Sequence, residues 1–322
     1  MSNEGEERIP EPIARLLGRA ASSARRLPAR QPVWRLATRP PVVLRRSAEP
    51  VRDPEVAAAE LTWLPGFLDD LTSAGFPAPR PAGVLGGASW LMAAGYSWQV
   101  VTYLPGRPLM WVSRPSLEHV GVLLARYRIA SASCSPRDQR PSHCSLVSLL
   151  EAIAKPADTE LQLLKARTAG RLAGAVSAVL AALREEGLQE EPRGVIHGDP
   201  TVRNIIVADL PARVVGLVDF ELAHVDHLLA DLAYSLYVTA RPESDAIGLR
   251  VDRFQAVVRG YSTMVSLDAR RVRLAVVLIA GRGLQMIARG LSHGIFLPAS
   301  FDRVQWVLEH RHSLEEAAAS SS

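Results

Sequence analysis

Residues 195–207 read Val-Ile-His-Gly-Asp-Pro-Thr-Val-Arg-Asn-Ile-Ile-Val, and residues 214–221 read Val-Val-Gly-Leu-Val-Asp-Phe-Glu. The β-branched runs 205–207 and 214–218 flank Ala208 to Arg213, whose Asp209 and Pro211 suit a turn, so the stretch reads as one hairpin. Antiparallel pairing brings Asn204, just before the first strand, and Asp219, just after the second, to the same end of the ribbon. Two oxygen-bearing side chains placed there suit a hard metal ion.

Asp199 lies five residues before Asn204, in a turn held by Gly198 and Pro200. From there it can accept the proton of an attacking hydroxyl while metals neutralise phosphates, which is the division of labour in phosphoryl transfer. A purely structural alternative has Asp199 capping a helix and Asp219 turning the chain at a strand end. The ordered set His-Gly-Asp, four residues, Asn, then Asp-Phe-Glu resembles the aminoglycoside phosphotransferase and choline-kinase branch of the protein-kinase-like fold. Gly198 and Glu221 favour that branch over true protein kinases.

The resemblance implies an α+β, two-lobed architecture. A small sheet with one long helix reaches to about residue 104, and residues 105–322 form a mainly helical lobe carrying the catalytic hairpin, with nucleotide held between the lobes. It implies ATP or GTP and Mg²⁺ as cofactors, with Asp199 as base and Arg203 beside it as a second candidate catalytic residue. Asn204 and Asp219 are the implied metal ligands, and Glu221 is a candidate to assist a second metal or to contact the acceptor. Asp231, in Asp231-Leu232-Ala233, is the implied buried brace of the catalytic loop.

Upstream, residues 32–36 and 41–45 read as strands joined by a turn at Thr38 to Pro40, where the family has its nucleotide-covering hairpin. The chain departs from the family here, since no glycine stands between Ser22 and Trp34 to let backbone approach phosphate. Its only lysines are Lys155 and Lys165, so the phosphate cation in this lobe must be an arginine. Arg45, after Val-Val-Leu, stands in the matching slot; shielding of a strand edge is the alternative. Asp53-Pro54 starts a helix that carries Glu60, the expected partner of Arg45 or else a solvated side chain, before Pro65-Gly66 interrupts it. Trp90 to Ala94 and Trp98 to Leu104 read as further strands, and Thr102 to Leu104 match the hinge whose backbone would read the adenine edge.

Helical periodicity marks residues 9–20, with Ile9, Ile13, Leu16, Leu17 and Ala20 inward, and a stripe of Leu117, Val120, Leu123, Leu124 and Tyr127 from Ser116 onward. Residues 131–145 read as a surface loop, either bordering the acceptor pocket or a disordered insert. Asp158 is the expected N-cap of a long helix through Leu183 ended by Gly187. His224, Asp226 and His227 suggest a metal cluster, but Asp226 as a helix cap is simpler. Three further helices follow, roughly 251–264, 268–292 and 300–318, with a frayed tail after Glu316. On the middle one, Arg282, Arg289 and His293 share a face, read first as a solvated stripe and second as an anion-recognising acceptor wall.

With 322 residues, 48% hydrophobic, the chain is long enough for two unequal lobes. A formal charge of +4 and scarce aromatics argue against a nucleic-acid surface. Cys134 and Cys144 have neither zinc spacing nor a disulfide framework, so a reduced, cytoplasmic protein is expected. The longest apolar run, Leu274 to Ala280, is too short to span a bilayer, and no membrane or obligate protein partner is expected. The implied acceptor is a small hydroxylated molecule. An antibiotic comes first, on the breadth of the family, and a metabolite of choline, homoserine or sugar type comes second. A polycationic aminoglycoside fits least, because arginines are at least as frequent as carboxylates in the acceptor-side lobe. The rival of another class is a pseudokinase that binds nucleotide without turnover.

Overall fold

The computed structural model describes residues 8–27, 32–47, 50–109, 114–140, 143–154, 166–208, 213–242, 247–292 and 298–320. It divides into two compact units, residues 1–105 with 140–142, and residues 106–139 with 143–322.

In the first unit, β1 (Arg25–Arg26), β2 (Val33–Leu36), β3 (Val42–Arg46), β4 (Trp90–Ala93) and β5 (Tyr96–Thr102) form an antiparallel sheet in the order β1-β2-β3-β5-β4. Strand alternation sorts β3: Val42 and Leu44 are buried, while Val43 and Arg45 take the opposite face. Trp34 and Trp98 stack with centroids 5.8 Å apart at the centre of the core, beside Leu36, Leu44 and Val100. Helix α1 (Glu11–Leu17) adds Ile13 and Leu17 to this core. One expectation for this region changes: Leu16, expected inward, is 45% exposed, and Arg25–Arg26 add a short edge strand.

Asp53 caps α2 (Pro54–Ser73), its side chain accepting from the amides of Glu55 and Val56. Pro65-Gly66 does not interrupt this helix. A mid-helix proline costs about 3 kcal/mol. Buried Leu64, Phe67, Leu68 and Leu71 offset it, at about 1.5 to 3 kcal/mol for each fully buried large side chain.

The second unit is built on α3 (Arg114–Ser133), α4 (Leu146–Ala154), α5 (Ala166–Glu185), α6 (Ala230–Thr239), α7 (Val251–Ser262), α8 (Ala269–Ser292), α9 (Pro298–Glu309) and α10 (Arg311–Ala319). The expected α3 stripe, Leu117 to Tyr127, is buried. Helices α3 and α7 cross at reciprocal glycines: a Cβ on Gly121 would lie 2.1 Å from the Val257 carbonyl oxygen, and one on Gly260 1.9 Å from that of Glu118. α4 begins directly after the expected surface loop 131–145 and has no counterpart among the helices expected from the sequence. The expected cap Asp158 and the face residue His293 lie outside the described residues. The final helix breaks at His310 into α9 and α10, and the tail after Glu316 is held, with Ala318 buried and the Ala317 carbonyl accepting from Gln255.

Three strands, β6 (Arg107–Pro108), β8 (Ile205–Val207) and β9 (Val214–Leu217), carry the hairpin, and β7 (Arg193–Ile196) pairs antiparallel with β10 (His224–His227). Among the described residues no helix is long and apolar enough to cross a membrane.

Candidate active site

The hairpin forms as the residue pattern requires. Ile205 pairs with Leu217, and the Val218 amide donates to the Asn204 carbonyl at 2.9 Å, so Asn204 and Asp219 leave the ribbon at one end. Asp219 adopts a left-handed conformation (φ 69°) and opens a 3₁₀ turn, Phe220–Leu222, that carries Glu221. Such a conformation costs roughly 1 to 2 kcal/mol for a residue with a Cβ, and an aspartate tolerates it better than most.

Gly198 is the pivot of the loop. Its φ is +77°, and a Cβ would sit 2.3 Å from the Leu222 carbonyl oxygen, so the His-Gly-Asp and Asp-Phe-Glu segments touch there without room for a side chain. The Asp231 carboxylate, on α6, accepts from the His197 amide at 2.7 Å and from the Gly198 amide at 3.0 Å. This is the brace anticipated from the sequence. Burial raises the Asp231 pKa, against the opposing pull of His197 and those two amides.

His197, fully buried, ties the two motifs together. Its Nδ1 accepts from the Asp199 amide at 3.2 Å, which leaves the ring proton on Nε2 to donate to the Val218 carbonyl at 3.0 Å. Phe220 packs on the ring with centroids 4.6 Å apart, and Tyr127 closes the cluster while donating to the Val195 carbonyl. Next along α3, Arg128 pairs with the buried Glu191 at 2.5 Å.

Asn204 places its amide nitrogen 2.9 Å from the Asp199 carbonyl and 3.1 Å from Asp199 Oδ2. With its donor end committed, the carboxamide presents its oxygen, which is the end a hard cation takes. Asp199 Oδ1 accepts from Arg282 Nη2 at 3.2 Å. Arg282 is therefore not on a solvated stripe: it is 5% exposed, lies over the Tyr234 ring at 4.4 Å and also donates to Gln285. Arg289, two turns on, is exposed. Arg203 projects outward from the turn, and among the described residues no hydrogen bond joins it to Asp199 or Asn204.

The hard-metal fit rests on this donor set. Among the described residues no three His, Cys, Asp or Glu side chains converge, so a cation here would take Asn204 and Asp219 and complete its shell with phosphate and water oxygens, as Mg²⁺ does. His224, Asp226 and His227 do not form a metal cluster. Strand alternation sends His227 to the face opposite the buried His224 and Asp226. Asp226 instead caps α4 through the Leu146 amide at 2.7 Å and accepts from the His227 amide at 2.8 Å. Burial alone would raise its pKa, but His224 and those two amides together hold it below the usual carboxylate range.

In the first unit, Arg45 sits on β3 opposite Val33 and Gln99. Glu60 has the Arg140 guanidinium 3.6 Å away. The Thr102 and Tyr103 amides donate to the carbonyls of Arg80 and Pro41, at 2.8 and 2.9 Å, so neither is available to an adenine edge; Leu104 follows them.

Residues 24–264 match the model of the phosphotransferase enzyme family APH. The chain is 27% identical over 246 residues to a homoserine kinase of Acidiphilium cryptum, covering 76% of this chain and 73% of that one. It is 28% identical over 246 residues to a homoserine kinase of Xanthobacter autotrophicus, covering 74% and 71%. In fold it is similar to an aminoglycoside phosphotransferase from Alicyclobacillus acidocaldarius, with a TM-score of 0.62 at 16% identity over 99% and 98% of the two chains. Its fold is thus the protein-kinase-like α+β fold, and the chain, matched from the first sheet to the end of α7, belongs to the phosphotransferase enzyme family as a small-molecule kinase.

Proposed function

We propose that this kinase transfers the γ-phosphoryl group of ATP or GTP, with Mg²⁺, to the hydroxyl of a small metabolite, with L-homoserine the first acceptor to test. The observation that carries the reading is the split use of Asn204, whose nitrogen fixes Asp199 while its oxygen is left uncommitted at the end of the hairpin that Asp219 also leaves. Curated relatives named homoserine kinase favour the metabolite over the antibiotic that family breadth put first.

Asp199 would accept the hydroxyl proton as the acceptor oxygen bonds to the γ-phosphorus, and the bond to the β-phosphate oxygen would break to release the nucleoside diphosphate. Mg²⁺, when bound, would neutralise charge on the phosphate oxygens, held through Asn204 and Asp219 with Glu221 in reserve. Asp231 and His197 would keep the loop in register with the metal aspartate. Arg45 is the candidate phosphate ligand of the first unit, with Glu60 as its support. Leu104 is the candidate amide for adenine, because the two before it are engaged. Arg203, exposed on the turn, would act by charge on approaching phosphates and not by contact with the base.

The test is incubation with MgATP or MgGTP and a panel holding L-homoserine, choline, sugars and hydroxylated antibiotics. The expected result is a gain of one phosphate group on L-homoserine. Nucleotide binding with no product from any acceptor would leave the pseudokinase reading in its place.

A further inference from the structure

We infer that Arg282 and Arg303 form a carboxylate-binding wall beside Asp199, so that the acceptor is a small hydroxy acid or amino acid carrying its anionic group a few bonds from the reacting hydroxyl. The inference rests on the reading of Asp199 as the base that meets the acceptor.

The two guanidinium groups lie along one helix face. Tyr234 and Tyr237 are one turn apart on α6, hence neighbours on its surface. Arg282, from α8, lies 4.4 Å from the Tyr234 centroid, and Arg303, from α9, 5.8 Å from that of Tyr237. Gly283, next to Arg282, lets the helices close: a Cβ there would lie 2.4 Å from Val304 Cγ2, next to Arg303, and 3.3 Å from Tyr237 Cε2.

Arg303 is 3% exposed, yet among the described residues its Nε and Nη1 have no hydrogen-bond partner. Arg282 Nε is in the same state, and so are the hydroxyls of Tyr234 and Ser235 on α6. Arginine does not shed its proton in a protein, so this charge cannot be relieved by titration. A buried cation without an anion is costly, and an aromatic face compensates it only in part. The Nε of Arg282 and the Nε and Nη1 of Arg303 are three cationic donors that an anionic ligand would satisfy. Arg282 supplies the link to chemistry, since its Nη2 already holds Asp199 Oδ1 at 3.2 Å while Nε is unbonded. An anion on the remaining edge of that planar group sits within a few ångströms of the base.

The experiment compares L-homoserine with 3-aminopropan-1-ol, which lacks only the carboxylate, using MgATP and reading kcat/KM for wild type and Arg303→Met. Wild type should prefer the acid by at least about 100-fold, and Arg303→Met should lose about 10- to 100-fold on the acid, the range for a charge-assisted hydrogen bond, while the amino alcohol is unchanged. An equal loss on both acceptors, or none on either, overturns the inference. Calorimetric titration with 4-hydroxybutanoate separates this site from the reaction. Binding that weakens by the same factor in Arg303→Met supports the wall even if neither acceptor turns over, in which case the functional reading alone fails; no binding to wild type overturns the wall. Without ligand, Arg303→Met should melt at or above wild type because an unpaired buried charge has gone, and a lower Tm would mark Arg303 as structural and overturn the inference.

Discussion

Arg282 and Asp199, 83 positions apart in sequence, meet at 3.2 Å through Nη2 and Oδ1. The partner of the candidate base comes from a distant helix, and the opposite carboxylate oxygen is taken by Asn204. Both oxygens are thereby oriented. Arg282→Gln should lower kcat by about 10- to 100-fold through misplacement of the carboxylate, with nucleotide Kd within about twofold of wild type. Steady-state kinetics and calorimetry on the same preparation check it; unchanged kcat would remove Arg282 as a positioning residue.

Asp231→Asn should melt below wild type. The carboxylate serves two buried amides, and an amide side chain offers only one oxygen, so one N–H of His197 or Gly198 would face an NH₂ group. Leaving a buried donor unsatisfied costs about 1 to 3 kcal/mol. Thermal denaturation followed by circular dichroism decides it, and an unchanged Tm would show that the brace carries no stability.

Asp226 sets an acid limb of stability. Its folded pKa is lowered, so its contribution is full above the unfolded value of about 3.9 and is lost as pH falls through the lower folded one. Asp226→Asn should therefore destabilise the protein at neutral pH and flatten the loss of stability below about pH 4. Urea denaturation from pH 3 to 7 reads both limbs; parallel curves for mutant and wild type would contradict the assignment.

Two glycine substitutions should part stability from activity. Gly198→Ala forces a side chain to 2.3 Å from the Leu222 carbonyl at a positive φ, which displaces the loop and should abolish turnover. Gly260→Ala separates α3 from α7, away from the loop, and should lower Tm while kcat per folded molecule stays within about twofold. Loss of kcat in Gly260→Ala with an unchanged Tm would reverse that division.

The hairpin and the placement of Asn204 and Asp219 at one end of it were legible because they are local. Strand alternation, a turn, and fixed spacings among Asp199, Asn204 and Asp219 leave a one-dimensional trace, and pairing of Ile205 with Leu217 does the rest. Asp231 was legible through the family resemblance. Arg282 was not, since helical periodicity places a residue on a face but does not say what packs there; here that is Tyr234 and Asp199. The same gap hid Arg303. His197 belongs to the motif, but its bridge to Val218 depends on the meeting of two segments 21 positions apart. Pro65 misled because local propensity was outweighed by the buried face of α2. Asp226 was read as a cap, but it caps α4, which precedes it by 80 positions.

Asp219→Ala should abolish metal-dependent nucleotide binding, because a lone carboxamide is a weak ligand for Mg²⁺. Titration with MgATP and MgGTP, against the same nucleotides in EDTA, measures it. Equal affinities for mutant and wild type would take Asp219 out of the metal site.

The most direct measurement is single-turnover transfer from MgATP to L-homoserine by wild type and Asp199→Asn. The amide keeps the size of the side chain but cannot accept the hydroxyl proton. Removing a general base costs about 10² to 10⁴ in rate, and the loose transition state of phosphoryl transfer favours the lower end. We predict a fall of at least about 100-fold with nucleotide Kd within about threefold of wild type. A mutant rate within about threefold of wild type, under roughly 0.7 kcal/mol of barrier, would contradict the central role of Asp199.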